Sequence, residues 1–248
     1  MSTPTTSFED RFIARLLSAA ALLGSAALVT SSTVLASSTV NKSISVPAAG
    51  QDGDIESVNG GVDIGARATV DEVSTVNGGI DVGAGAVLTS LESVNGGIEA
   101  DANVQVRGDI ESVNGGIEFA EGARIDGNVE SVNGGVDFER AQIAGHVHTV
   151  NGRVKLRSTS VGRDLQTVFG HIELEDGTTV AGDITVRKPH GSNNWFGKRR
   201  LPKVVIGPNV EVRGRIVLEH EAEVFVHDSA RIGGIVGGQM QRYSGISP

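Results

Sequence analysis

Apolar residues recur along this chain in columns that repeat every 18 or 19 residues. A valine precedes one anchor position in every repeat, and another apolar residue lies four positions before it. Apolar residues also follow the anchor by three and by five positions, with a mostly charged residue between them. This alternation is typical of a strand with one buried face. The anchors are Asn59, Asn77, Asn95, Asn114, Asn133, Asn151 and then Phe169.

The strands predicted for each repeat are short and need neighbouring strands to be stable. A repeat of 18 residues with two or three bends leaves strands of about five residues, and copies stacked in register bury one side of each strand. The sequence therefore predicts an all-β protein, a single-stranded parallel β-helix (a solenoid) of about nine to ten coils. A sandwich of hairpins is the alternative, but hairpins reverse strand direction. Uneven intervals between apolar residues, from Val132 to Val150, favour a right-handed winding.

The phrase VNGG is predicted to form one corner of each coil. Glycine adopts a positive φ without a Cβ penalty, and asparagine tolerates that region better than most residues. The asparagine amides would lie about 4.8 Å apart and could form a ladder that points either inward or outward. The predicted corner residues are Asn59, Asn77, Asn95, Asn114, Asn133, Asn151, Gly60, Gly78, Gly96, Gly115 and Gly134.

The start of the chain resembles an export signal. Arg11 and Arg15 precede an apolar run from Leu16 to Val29, and a VLA motif ends at Ala36. These features indicate a signal peptide that is cleaved after that alanine, and an uncleaved membrane anchor is the alternative. The mature protein is therefore expected in the periplasm or outside the cell. The predicted segments are a signal peptide (1–36), a lead-in (37–54), regular coils (55–186), a basic insertion (187–203), C-terminal coils (204–238) and a tail (239–248).

Two stretches, GARIDGNVESVNGGVDF and GPNVEVRGRIVL, resemble the coils of bactofilins, the polymer-forming bacterial proteins. The likeness covers most of residues 50–235 and rests on a glycine-rich turn followed by G-[DN]-[IV]. The arrangement is also similar to secreted β-strand-repeat proteins of proteobacteria, in which a KPHG…W insertion precedes an IGP coil. The resemblance implies a compact right-handed β-helix. Bactofilins are typically cytosolic, so the apparent export signal departs from that family.

Charge is distributed unevenly along the chain. Residues 37–186 carry 23 acids and 9 bases, a net of −14, whereas residues 187–248 carry 5 acids and 10 bases, a net of +5. The acidic body argues against nucleic-acid binding. The absence of cysteine excludes disulfides and thiolate metal sites.

Two acidic columns are predicted to point outward. Their members are Asp63, Asp81, Glu99, Glu118 and Asp137 in one column, and Glu56, Glu92, Glu111 and Glu130 in the other. We interpret both as solvated faces. Divalent-cation binding between coils is the alternative, because hard cations favour clustered carboxylates.

The sequence predicts no catalytic residue, no cofactor and no enzymatic activity. A glycosidase needs two carboxyls in a cleft, and the coils from 55 to 186 have no long loop to wall one. A carbohydrate-active enzyme is therefore the third choice of function. His146 and His148 are interpreted as a histidine pair on the outward surface, and they are weak metal candidates that lack an evident third ligand. An acyltransferase would use a coil histidine, but nothing around His171 or His220 selects either.

The insertion contains the only tryptophan of the chain and no acidic residue. Tryptophan beside basic residues is typical of membrane interfaces and of protein contacts. It is a candidate binding loop for an anionic envelope component, either a lipid headgroup, a polysaccharide or a protein. A loop that only packs against the β-helix is the alternative. Its proposed contact residues are Trp195, Phe196, Lys198, Arg199 and Arg200.

The expected function is that of an exported, non-enzymatic structural or scaffold protein of the bacterial envelope. Self-association through the coil ends is expected, because each end of a β-helix presents unpaired backbone groups. A periplasmic binding module that uses the basic insertion is the alternative.

Overall fold

A computed structural model describes residues 36–189 and 201–248, and its regular elements are strands joined by tight turns. The strands stack in parallel, coil upon coil, as the repeat predicts. The prediction of an all-β parallel β-helix is therefore confirmed, while its right-handed winding stays a prediction.

The chain contributes strands to three faces in the order first, second, third, and the last coil has strands on the first and second faces only. The first face contains Ser37–Thr39, Ile55–Ser57, the ends of Thr69–Thr75 and Val87–Ser93, Ile110–Ser112, Val129–Ser131, Val147–Thr149, Leu165–Thr167, Ile184–Val186, Ile216–Leu218 and Ile235–Val236. The second face contains Ile44–Val46, Val62–Ile64, Ile80–Val82, Ile98–Ala100, Ile117–Phe119, Val136–Glu139, Val154–Arg157, Ile172–Glu175, Lys203–Ile206, Glu223–His227 and Gln241–Tyr243. The third face contains Gln51–Asp52, the starts of Thr69–Thr75 and Val87–Ser93, Gln105–Val106, Arg124–Ile125, Gln142–Ile143, Ser160–Val161, Thr179–Val180, Glu211–Val212 and Arg231–Ile232.

Two long strands, Thr69–Thr75 and Val87–Ser93, run across both the third and the first face without a turn. Other coils bend there at a glycine, such as Gly127, whose added Cβ would lie 2.3 Å from backbone atoms of Gly108. The sequences TVDEVST and VLTSLES contain no glycine, so the chain continues straight through this corner. The third and first faces are joined by these strands into a single sheet.

The core lies inside the β-helix and is formed by aliphatic columns from all three faces. In one coil Ile110, Ile117 and Ile125 come from the first, second and third face, and each is buried. The rings of Phe119 and Phe138 stack at 4.9 Å between centroids, one coil apart on the second face. Burial of such columns supplies the stability, because every coil removes several aliphatic side chains from water.

The β-helix has about eleven turns, compared with the nine to ten predicted. The lead-in forms a first coil of its own, with strands Ser37–Thr39, Ile44–Val46 and Gln51–Asp52. At the other end the tail contributes the strand Gln241–Tyr243 to the second face. Both segments lack the VNGG phrase, so the repeat pattern alone did not reveal them.

Candidate functional site

The asparagines of the VNGG corner form a continuous ladder of side-chain hydrogen bonds. Each Nδ2 donates to the Oδ1 of the asparagine one coil earlier, over 2.8–2.9 Å. The ladder begins one coil earlier than predicted, at Asn41, and ends at Asn151. These asparagines are exposed, so the ladder lies on the outside of the molecule.

The conformational reason given for the corner glycines is wrong. Positive φ occurs instead at the corner after the second face, for example at Arg67 and Asn103. The first glycine of VNGG is required because two backbones approach closely there. A Cβ on Gly134 would lie 1.8 Å from the carbonyl oxygen of Gly115, whereas a Cβ on Gly135 would meet nothing nearer than 3.4 Å. Later coils can therefore carry arginine or histidine at the second position.

A column of buried serines and threonines completes the corner, and the sequence analysis missed it. Ser131 Oγ donates to the carbonyl oxygen of Gly134 over 3.0 Å, and the same pair of positions interacts in other coils. Where threonine replaces serine, as at Thr149, its Oγ1 accepts from the corner N–H of Gly152. The signal was the small hydroxyl residue two positions before every VNGG asparagine.

The G-[DN]-[IV] motif forms another hydrogen-bonded corner, between the third and the first face. Asp109 Oδ1 accepts from the backbone N–H of Asn128 over 2.8 Å, and Asn128 Oδ1 accepts from the N–H of His146. Asp164 and Asp183 repeat the contact further along the chain. At this bend backbone N–H groups lose their partners in the sheet. The side-chain oxygen of the polar residue accepts hydrogen bonds from such groups in their place.

The acidic column of the second face points outward, as predicted. Asp63, Asp81, Glu99 and Glu118 are exposed, and they line a shallow groove of about 630 Å³. Arg157 lies at the end of this groove, 3.7 Å from Asp137. In the described ranges, 36–189 and 201–248, no group of three or more His, Asp or Glu residues is arranged to hold a metal ion.

The prediction that the other acidic column is solvated is wrong for most of its members. Glu92, Glu111 and Glu130 are buried, although they project away from the core, and only Glu56 is partly exposed. A ridge of valines runs beside this column and includes the buried Val132, Val150 and Val168. The repeat pattern gives the direction of a side chain but cannot reveal what covers it.

The two candidate histidines lie next to this buried column. His146 Nε2 is 2.6 Å from Glu130 Oε1, and His148 pairs in register with Glu130. Burial, together with the nearby His146 and Arg187, lowers the pKa of His148 to about 4. The described arrangement is a histidine–carboxylate contact in place of a histidine pair facing solvent.

The candidate contact residues Trp195, Phe196, Lys198, Arg199 and Arg200 lie outside the described residues. The described flanks of the insertion are held to neighbouring coils. Lys188 N donates to Glu219 Oε2 over 2.9 Å, and Lys203 N donates to His171 Nδ1 over 2.9 Å. His220 Nε2 donates to the carbonyl oxygen of Val168. His171 therefore holds the C-terminal flank of the insertion, while His220 links its own coil to Val168.

The chain matches no protein-family model, no curated protein and no solved structure. In the part of the chain that the structure describes, no helix has the length and hydropathy to cross a membrane.

Proposed function

We propose that this protein is an exported, non-enzymatic structural element of the bacterial envelope that assembles end to end, as the resemblance to bactofilins implies. Matched open edges at the two ends of the β-helix carry the proposal. Among the strands that the structure describes, Ser37–Thr39 and Ile44–Val46 each have a partner on one side only. Ile235–Val236 and Gln241–Tyr243 have the same property at the other end.

These edges belong to the same two faces, so one copy can continue the stack of another. The first-face strand Ser37–Thr39 would follow Ile235–Val236, and the second-face strand Ile44–Val46 would follow Gln241–Tyr243. Both junctions keep the parallel direction of the coils. Contacts of this head-to-tail kind do not close on themselves by a two-fold axis, and they generate open filaments.

The C-terminal end also exposes apolar side chains that a following coil would cover. Val236 is 45% exposed, and Ile232, Ile235 and Met240 are only partly buried. Unpaired strand edges beside apolar groups promote association unless they are shielded. The end is basic at Arg231 and Arg242, whereas Asp52 and Asp54 lie at the opposite end, so opposite charges favour this orientation.

The test is to compare residues 37–248 with an Ile235→Lys variant by sedimentation velocity and electron microscopy. The native chain is expected to form rods that lengthen with concentration and shorten in high salt. The lysine can reach solvent at the open end but would be buried in a filament, so the variant should stay monomeric. Val217→Lys, an outward position on the preceding coil, is the matched control and should assemble.

A native chain that is monomeric at every concentration would refute this proposal. It would favour the alternative, a periplasmic binding module that uses the basic insertion for an anionic partner.

A further inference from the structure

At the N-terminal end of the β-helix, one aliphatic column of the core finishes in a carboxylate. On the third face Asp52 pairs in register with Val70, and Val70 pairs with Leu88, and both of these apolar side chains are buried. Residues in register on stacked strands point to the same side, so Asp52 projects towards the core from the first coil. Ser37 on the neighbouring face agrees with this direction, because its Oγ donates to Asp52 Oδ2 over 2.9 Å.

At the C-terminal end a second core column finishes in a guanidinium. On the second face Arg242 pairs in register with Val226, and Val226 pairs with Ile206, and both of these apolar side chains are fully buried. Arg242 is itself exposed, since Gln241–Tyr243 is the last strand of this face among the described residues. Its Nη1 donates to the carbonyl oxygen of His227 over 3.2 Å. The open end of the core is therefore bordered by a cation.

These two charges are exceptions within their columns. From Val70 to Ile232 the column of Asp52 is aliphatic in every coil. From Val46 to Val226 the column of Arg242 is apolar in every coil. Within residues 36–189 and 201–248, no ion pair includes either side chain. A charge at such a position needs water or a partner, because burial without a partner is costly.

Stacking one copy on another brings the two charges to the same junction. The strand Ile44–Val46 of the next copy would follow Gln241–Tyr243, so Arg242 would lie one coil step, about 4.8 Å along the axis, from the coil that contains Asp52. The two side chains would enter the shared core from adjacent faces, as Asp52 and Ser37 do within one copy. An arginine has a long stem and five N–H donors, so it can reach a carboxylate and still bind a carbonyl oxygen.

The same two charges oppose the other ways of joining ends. Contact between two C-terminal ends would bury two copies of Arg242 against each other, and contact between two N-terminal ends would bury two copies of Asp52. Buried like charges are strongly unfavourable, whereas a buried pair of opposite charges specifies register and orientation even where it adds little stability. Only the head-to-tail junction gives both residues a partner.

We propose that Arg242 of one copy and Asp52 of the next form an ion pair inside the continuous core of the filament. The pair fixes the polarity of the filament and the rotation of each copy about the axis. This inference rests on the proposed end-to-end assembly, and it names the contact by which one end recognises the other.

Charge reversal tests the pair in residues 37–248, which contain every described strand. Asp52→Arg and Arg242→Asp should each weaken association by about 30-fold or more, as does the loss of one partner of a buried charge pair. An equimolar mixture of the two variants should assemble, because every junction between unlike chains again joins opposite charges. A chain with both substitutions should assemble alone. Sedimentation velocity and electron microscopy measure all four samples beside the native chain.

Two matched controls make the same charge changes near the same ends at residues that point outward. They are Glu56→Arg, one coil from the N-terminal end, and Arg231→Asp, on the last strand of the third face. Both should assemble as the native chain does. Circular dichroism checks that every variant is folded.

The outcomes separate this contact from the proposed function. Single variants that assemble as well as the native chain would overturn the ion pair and leave end-to-end assembly standing. A mixture or a double variant that stays monomeric, while the native chain forms rods, would overturn the ion pair as well. A native chain that stays monomeric would refute the proposed function and this contact with it.

Discussion

At the scale of single residues, each position of the phrase SVNGG has a distinct physical role. The serine hydroxyl is buried and donates a hydrogen bond to a carbonyl oxygen of the corner. The asparagine side chain is exposed and is hydrogen-bonded to the asparagine of the next coil. The first glycine allows two backbones to touch, and the second is tolerated without being required. The sequence predicted where the corner and its ladder lie. It could not give the reason for the glycine, because close approach between coils is a property of the stack and not of the local chain.

Gly134→Ala should destabilise the protein, whereas Gly135→Ala should not. The added Cβ at the first position would lie 1.8 Å from a backbone oxygen, which cannot rotate away. Overpacking of this kind costs about 1–3 kcal/mol. At the second position there is room and no positive φ, so alanine should be neutral or stabilising by about 0.5 kcal/mol. Urea unfolding of both variants measures the difference, and equal losses would contradict the close-approach explanation.

His148 should make the full-length chain less stable as the pH falls. Its folded pKa of about 4 lies below the ordinary value of 6.5. Between these values the unfolded chain binds a proton that the folded chain does not, so stability rises with pH across this window. The loss on acidification to pH 4 is about 3 kcal/mol, at 1.36 kcal/mol for each pKa unit.

A His148→Gln variant, which copies the residue one coil further on, should lose most of that pH dependence. The measurement is the free energy of unfolding at pH 7 and at pH 4.5 for both proteins. The same pH slope in the variant would show that another group is responsible. Glu130 and His146 face His148 and remain unchanged in both chains.

At the scale of the strand, alternation determines which side chains enter the core, but it does not determine the environment of those that point out. The columns that contain Ile110 and Ile117 were predicted to be buried and are buried. The outward residues that follow them, Glu111 and Glu118, were predicted to share one environment and do not. A period of 18 residues gives the direction of each side chain and not the exposure that it has in the folded molecule.

A pair of substitutions in the strand Ile117–Phe119 tests the inside and outside assignments. Ile117→Asp would bury a carboxylate among aliphatic side chains and should cost several kcal/mol or prevent folding. Glu118→Lys should change stability by less than about 0.5 kcal/mol, because exposed substitutions have small effects and this one relieves repulsion from Glu99 and Asp137. Thermal unfolding monitored by circular dichroism compares them. Equal decreases in melting temperature would contradict the assignment.

At the scale of the whole molecule, the repeat predicted the architecture and missed its ends. The first coil and the last strand lack the VNGG phrase, and they take part because a neighbouring coil offers them backbone partners. Tertiary hydrogen bonding thus extends the β-helix beyond the pattern that defines it. The edges of these added strands are the surfaces on which end-to-end assembly would depend.

The asparagine ladder also adds a dipole along the axis of the β-helix. Backbone hydrogen bonds along the axis run both ways: Asn59 N donates towards the start of the chain, to Val40, and Ile44 N donates towards its end, to Gly61. Their dipoles therefore tend to cancel. All the side-chain amides of the ladder donate towards the start, so their dipoles, each about 3.5 D, add as they do in an α-helix. One corner consequently carries a row of aligned dipoles that is positive at Asn41 and negative at Asn151, and copies stacked head to tail would repeat it with the same polarity.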